Sequence, residues 1–86
     1  QREKVVHQAD GVVLELGCGT GTNFGLYNVA SVDHLHAIEP HPPMVQRAKA
    51  TWAAGDFGIP CDIHTCGAEA VPLDDESVDT VVRRLA

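Results

Sequence analysis

Residues 12–21 read VVLELGCGTG, a short apolar run that passes directly into a glycine-rich turn. Four of its first five positions are apolar, which is typical of a strand buried on both faces of a parallel sheet. Gly17, Gly19 and Gly21 permit a tight reversal, and without a Cβ they let a ligand approach the backbone. A helix that begins behind such a turn presents unpaired amides and a positive dipole end. The segment therefore predicts a strand, a ligand-binding loop and a short helix over residues 22–27.

Three further strands are predicted downstream, alternating with helical sequence. They cover residues 34–39, 61–65 and 78–82. A helix is expected between Pro42, which suits a helix N-terminus, and Gly55, which suits its end. Within it, Met44, Val45 and Trp52 are assigned to the core on helical spacing. Strands that alternate with helices predict an α/β fold with a parallel sheet and right-handed crossovers.

Size and charge limit the classes of protein that this chain can represent. It has 86 residues, 12 acidic and 6 basic side chains, and a net charge of −6. Because a domain usually takes about 100–200 residues, we expect one small domain or part of one. A hydrophobic content of 44% favours a globular chain over intrinsic disorder. We expect no nucleic-acid partner, since that surface would be basic, and no membrane segment, since no window approaches ~18 continuous apolar residues.

Cysteine and histidine usage predicts neither a disulfide scaffold nor a metal site. The three cysteines form no CxxC pair, and so sparse a set favours reduced thiols in an intracellular protein, cytoplasmic by default. The five histidines supply no pair at the H-x3-H spacing of a helical metal site, so no metal is expected. His34 and His36 lie two residues apart in a predicted strand and therefore share one face, most simply a polar one.

Two acidic residues narrow the choice of ligand for the glycine turn. Dinucleotide enzymes use the pattern G-x-G-x-x-G, whereas here Gly21 comes one residue early. Glu15 lies two residues before Gly17, and a carboxylate there would repel a pyrophosphate and favour a cationic or zwitterionic ligand. Glu39 ends the second predicted strand, near the ~20-residue offset at which an acid binds a ribose diol. S-adenosylmethionine, an adenosine compound with positive charge and no phosphate, meets these requirements.

The same residues resemble a known enzyme family, the class I S-adenosylmethionine-dependent methyltransferases. Four segments are similar to its motifs in order: residues 13–21, 37–40, 67–73 and 77–82. The similarity is strongest to the type-11 methyltransferase domain. Within that domain type, Asn23, Phe24 and Tyr27 after the glycine loop resemble the methyltransferase-like group that includes small-molecule thiol methyltransferases. The resemblance implies a Rossmann-like parallel sheet with the strand order 3-2-1-4, truncated after its fourth strand, with residues 1–86 as the N-terminal part of a single domain.

The resemblance also implies which residues hold the cofactor. Five lie in or just before the glycine loop: Glu15, Gly17, Cys18, Gly19 and Gly21. The glycines would pack near the methionine part of the cofactor, and Glu15 would organise the loop and face the ammonium group, usually through water. Glu39 would hold the ribose hydroxyls, with Pro40 and His41 flanking the adenine.

The resemblance assigns the adenine contacts to a turn that follows the third predicted strand. Members of the family commonly read the adenine amino group with an acid in a G-D-A-E turn. The corresponding residues 66–69 read CGAE, which puts Gly67 at the position of that acid. Adenine contacts therefore pass to the backbone of Gly67 and Ala68, or to Glu69.

We expect methyl transfer from S-adenosylmethionine to a small-molecule acceptor by direct displacement. No catalytic residue is assigned, because alignment of the nucleophile with the sulfonium can suffice. One alternative is a truncated fragment that is catalytically inactive or serves as a regulatory or interaction isoform, since Arg83 and Arg84 stand where the family pattern continues with apolar or small residues. A second is a nucleotide-dependent oxidoreductase, against which the short glycine spacing argues. Membrane association of a longer parent stays open.

Overall fold

A computed structural model describes residues 6–71, 73 and 77–83. Within them, parallel strands form one sheet in the order β3-β2-β1-β4. The strands are β1 (Gly11–Leu16), β2 (Val32–Glu39), β3 (Cys61–Thr65) and β4 (Thr80–Arg83). Helix α1 (Pro42–Ala54) joins β2 to β3, and single 3₁₀ turns occupy Phe24–Leu26 and Ala68–Ala70. The predicted α/β class, the Rossmann-like parallel sheet and the 3-2-1-4 order are confirmed. Arg84 lies outside the described residues.

Two elements begin or end elsewhere than predicted because of contacts with other parts of the fold. The helix expected over residues 22–27 is only the 3₁₀ turn Phe24–Leu26, because Asn23 and Tyr27, on either side of it, both direct their side chains to Glu15. Strand β4 begins two residues later than expected. Just before it, Asp79 makes two hydrogen bonds with Val12. Oδ2 of Asp79 accepts the N–H of Val12, and the N–H of Asp79 donates to the carbonyl of Val12, both at 2.8 Å.

Helix α1 covers one face of the sheet, and the main core lies between them. Val45 and Ala48 are buried on the helix, and Trp52 packs edge-on against the ring of Phe24, with centroids 5.2 Å apart. Met44 is 39% exposed, so its assignment to the core was wrong. It is one residue from Val45, about 100° around a helix of 3.6 residues per turn, and therefore lies off the buried stripe.

The opposite face of the sheet changes character from one strand to the next. Leu14 of β1 pairs in register with His36 of β2, which pairs with Asp62 of β3, so these three side chains share this face. It is apolar at the centre of the sheet, where Leu14 and Ile38 are buried. Towards the edge strand β3 it is polar. His34 and His36 share this face, as expected.

Candidate functional site

The glycine loop after β1 is built from left-handed backbone. Gly17, Gly19 and Gly21 have φ values of +71°, +58° and +89°, a region that side chains other than glycine rarely adopt. The N–H groups of Gly17 and Cys18 both donate to the carbonyl of Ile38, at 3.0 and 2.9 Å, and this holds the loop against the end of β2.

The three glycines are not equivalent. A Cβ at Gly21 would collide with the ring of Phe24, so this glycine allows the loop to pack on the core. A Cβ at Gly17 would meet no atom within 4 Å. The bare Cα of Gly17 therefore borders open space, where a ligand can approach the backbone.

Glu39, the last residue of β2, is tied to this loop and is only 6% exposed. Its Oε1 accepts the N–H of Gly19 at 2.9 Å, and its Oε2 accepts both the backbone N–H and Nδ1–H of His41, at 3.2 and 2.8 Å. Burial alone would raise the pKa of the Glu39 carboxyl, but the hydrogen bonds from His41 and Gly19 outweigh it and lower this pKa below its usual value. Glu39 is therefore a carboxylate at neutral pH, with three of its roughly four acceptor positions in use.

Glu15 lies beneath the loop, on the face of the sheet that α1 covers, and is fully buried. The hydroxyl of Tyr27 donates to its Oε1 at 2.7 Å, and Nδ2 of Asn23 lies 3.4 Å from its Oε2. Burial and the adjacent Glu15 raise the pKa of Tyr27 far above its usual range, so the phenol stays protonated and keeps donating. These contacts join Glu15 to the segment that follows the glycine loop, while its roles as organiser of the loop and as partner of an ammonium group stay predictions.

A cleft of about 370 Å³ opens at the carboxyl ends of the strands. It brings together five of the residues predicted to bind the cofactor: Gly17, Pro40, Gly67, Ala68 and Glu69. Four further lining residues are Leu16, Ile38, Cys66 and Arg83. The other predicted residues support the cleft from behind. Glu15, Gly21 and the side chain of Cys18 are buried in the layer below, while Gly19 and Glu39 join the loop to β2.

A family model described as a methyltransferase domain matches residues 13–86. The chain belongs to this methyltransferase family. Its class is that of the class I S-adenosylmethionine-dependent methyltransferase domains, whose members generally use this cofactor. The matching model carries the general description, so assignment to the type-11 domain stays a prediction. No curated protein matches the chain.

Among solved structures, the methyltransferase domain is similar to the YcgJ protein from Bacillus subtilis, with a TM-score of 0.70 and 22% sequence identity. The similarity covers 95% of this chain and 34% of YcgJ. This chain thus spans about a third of the length of that protein. At this identity the likeness concerns the fold. Within the described residues, no helix of the methyltransferase domain combines the length and apolar character needed to cross a membrane.

Gly67 stands where the family resemblance predicts an acid, and its surroundings contain a neighbouring acid. A Cβ on Gly67 would collide with both carboxylate oxygens of Glu69. The carboxylate of Glu69 thus lies over the Cα of Gly67, beside the cleft. The carboxylate of Glu69 therefore occupies the space that the Cβ of an acidic residue at position 67 would take.

Arg83 is a cleft residue that sequence reasoning missed as part of the site. It ends β4, pairs in register with Leu16 of β1 and lines the cleft. In the sequence it stood out only as a departure from the family pattern. Its position at the carboxyl end of a parallel strand could have identified it, since ligands of open α/β sheets bind outside those ends.

Proposed function

We propose that this methyltransferase domain binds S-adenosylmethionine in the cleft at the carboxyl ends of β1 and β2, and that the methyl group passes to a small-molecule acceptor. The observation that carries the proposal is the ionised, nearly buried carboxylate of Glu39, held beside the glycine loop by the N–H of Gly19. A buried carboxylate at the end of the second strand is suited to a ribose diol.

The chemistry of the cleft fits each part of this cofactor. Glu39 has one acceptor position left. A second becomes available when the ring of His41 rotates away, which it can do because the His41 side chain is 75% exposed. Two positions suffice for the two hydroxyls of a ribose. Glu69 offers a carboxylate to the adenine amino group, and the bare Cα of Gly17 leaves room for the methionine part.

Charge distinguishes this cofactor from a dinucleotide. Glu39 lies beside the glycine loop, Glu69 lines the cleft, and Glu15 lies beneath the loop. The carboxylates of Glu39 and Glu69 attract a ligand that bears a sulfonium and an ammonium and repel a pyrophosphate, while the guanidinium of Arg83 in the same cleft has the opposite preference. The oxidoreductase alternative predicts the opposite preference.

When bound, S-adenosylmethionine supplies a methyl group activated by its sulfonium. The residues of this chain would orient it, through the loop for the methionine part and through Glu39 for the ribose. Glycine backbone and carboxylates that are already in place lower the entropy cost of alignment, which is the contribution that direct displacement most needs.

We also propose that residues 1–86 are the N-terminal part of a single S-adenosylmethionine-binding domain in a reducing, intracellular compartment. The order of the four motif-like segments and the 34% coverage of YcgJ support the first point. Free thiols at Cys18, Cys61 and Cys66 support the second. The alternative of an inactive or interaction fragment predicts cofactor binding at most, without turnover.

Calorimetric titration of the chain with S-adenosylhomocysteine, the demethylated product, tests the proposal. We expect one site, and a loss in affinity of about tenfold or more in Glu39→Gln, because hydrogen bonds to a charged group are worth about 1.5–3 kcal/mol. His7→Gln is the matched control, since His7 is exposed and lies outside the cleft. Tight binding of NADH in place of S-adenosylhomocysteine, or equal affinity in Glu39→Gln, would overturn the assignment.

Turnover is measured separately, with methyl-labelled S-adenosylmethionine and a panel of small thiol acceptors. Label transferred by the 86-residue chain would refute the inactive-fragment alternative. Binding of the product without transfer would favour that alternative and would leave the cofactor site supported.

A further inference from the structure

A cluster of histidines and one aspartate lies on the second face of the sheet, away from the glycine loop. Its members are His34 and His36 of β2 and Asp62 and His64 of β3. They are called the histidine cluster below. The cofactor cleft is lined by none of them, so the cluster has no part in the proposed function.

The cluster exists because of strand register. His34 and His36 share a face through the two-residue period of β2. Parallel pairing sets His36 opposite Asp62, and Ile38 opposite His64, so the two β3 residues project from the same face. The rings of His34 and His36 stack with centroids 4.3 Å apart, and those of His36 and His64 with centroids 5.6 Å apart.

The side chains converge through their metal-binding atoms. Nε2 of His34 lies 2.9 Å from Oδ2 of Asp62, and Nδ1 of His36 lies 4.0 Å from the same oxygen. One ligand atom from each of these three residues lies within 4.8 Å of the others. Nε2 of His64 approaches Nδ1 of His36 to 3.4 Å.

These separations are near those of a tetrahedral zinc site. Metal–ligand bonds of about 2.0–2.2 Å place neighbouring ligand atoms roughly 3.3 Å apart. Separations of 2.9, 3.4 and 4.0 Å lie on both sides of that value, and the ligand atoms of His34, His36 and Asp62 all lie within 4.8 Å of one another, so side-chain movements of about one to two ångströms would complete the geometry. Imidazole nitrogens with a carboxylate suit zinc, whereas magnesium and calcium prefer all-oxygen sites.

Without a metal, two pairs in the cluster lie at hydrogen-bond distance: His34 Nε2 with Asp62 Oδ2 at 2.9 Å, and His36 Nδ1 with His64 Nε2 at 3.4 Å. A metal ion would replace these two hydrogen bonds with bonds to one centre. A divalent cation satisfies the ring nitrogens and the carboxylate of Asp62 at once.

We propose that His34, His36 and Asp62 bind Zn²⁺ on the second face of the sheet, with His64 as the nearest candidate for the fourth ligand. The ion would join the edge strand β3 to β2 by bonds between side chains, in addition to the backbone ladder. Binding therefore stabilises the folded chain by mass action, as does any ligand that prefers the native state.

The thiols are the competing ligands that the experiment must separate. Cys61 is next to Asp62 in sequence, but its side chain packs against the core on the face that α1 covers. Cys18 is fully buried, and Cys66 lines the cofactor cleft. A site in the histidine cluster contains no sulfur, which gives it a distinct spectroscopic signature.

The test is calorimetric titration of the 86-residue chain, stripped with a chelator and free of any histidine tag, with ZnCl₂. We expect one site and a melting temperature that rises with zinc. His34→Gln, His36→Gln and Asp62→Asn should each weaken zinc affinity by about tenfold or more, given that even loss of a supporting residue around a metal ligand costs about 10–100-fold. Asp33→Asn, on the same strand as His34 and His36, and His7→Gln are matched controls that should bind zinc as the unaltered chain does.

Asp62→Asn is the decisive variant, because the Asp62 side chain is 58% exposed and its substitution leaves the core intact. Circular dichroism confirms the fold of each variant. Substitution of Co²⁺ should give d–d absorption without a thiolate charge-transfer band. Absence of zinc binding, equal affinity in Asp62→Asn, or a thiolate band from the cobalt form would each overturn the proposal.

Discussion

The carboxylate of Glu39 accepts a hydrogen bond of 2.9 Å from the backbone N–H of Gly19, and this bond joins the end of β2 to the glycine loop of β1. The acid proposed to hold a ribose and the loop proposed to hold a methionine are thus one connected unit. We therefore expect Glu39 to contribute to stability as well as to the proposed binding, and its ionisation should affect both.

Acid should destabilise the chain partly through Glu39. Its pKa is lower in the folded chain than in the unfolded one, where a glutamate has an ordinary value of about 4.3. The resulting stabilisation is fully present above the unfolded value and is lost as pH falls through the folded value. Urea unfolding from about pH 6 to about pH 3 should show a smaller acid loss for Glu39→Gln than for the unaltered chain. Equal loss in both would contradict the shifted pKa.

Gly17→Ala and Gly21→Ala should separate binding from stability. Both require an alanine at positive φ, which costs about 1–2 kcal/mol. Gly21→Ala also drives a Cβ into the ring of Phe24, so its loss in the free energy of unfolding should be the larger. Gly17→Ala fills open space beside the cleft and should weaken S-adenosylhomocysteine binding more than its stability loss explains. Urea unfolding and calorimetry provide the two readouts, and the reverse ranking would contradict this division.

The proposed contact with the adenine predicts that an acid at position 67 can replace the acid at position 69. Glu69→Ala alone should weaken S-adenosylhomocysteine binding, since the adenine amino group loses its acceptor. Gly67→Asp alone should also weaken it, because the new side chain collides with Glu69 and adds a like charge. The double variant Gly67→Asp/Glu69→Ala should recover affinity relative to both single variants, as measured by calorimetry. Unchanged affinity in Glu69→Ala would exclude a role for Glu69 at the adenine, and additive losses in the double variant would exclude replacement of that role by an acid at position 67.

Tyr27→Phe should destabilise the fold without touching the cleft surface. The hydroxyl of Tyr27 donates to buried Glu15 at 2.7 Å, and its removal takes one hydrogen bond from a buried carboxyl group at a cost of about 1–3 kcal/mol. The double variant Tyr27→Phe/Glu15→Gln should lose less than the sum of the two single variants, since the residues act as a pair. Val29→Ala, an exposed position, is the control. Urea unfolding measures all four, and strict additivity would contradict the pairing.

Local pattern accounted for most of the architecture but not for its details. The apolar run of β1, the glycines behind it and the Pro42 helix start act over a few residues, so their elements were confirmed. The sheet order, which the family resemblance implied, was confirmed as well. The helix expected after the loop shrank to one 3₁₀ turn because Asn23 and Tyr27 bind Glu15, a contact across the fold that helical propensity does not contain.

The sequence by itself determined the fold class, the family and the set of residues around the glycine loop, because backbone sterics and the burial of apolar residues leave their mark on neighbouring positions. Only the tertiary structure decided which of those residues line the cleft and which support it from below. It also brought Arg83 to the cleft and placed Asp62 and His64 beside His36, although 28 residues separate the two histidines. Strand register and crossover packing create such neighbours, and spacing along a single chain does not record them.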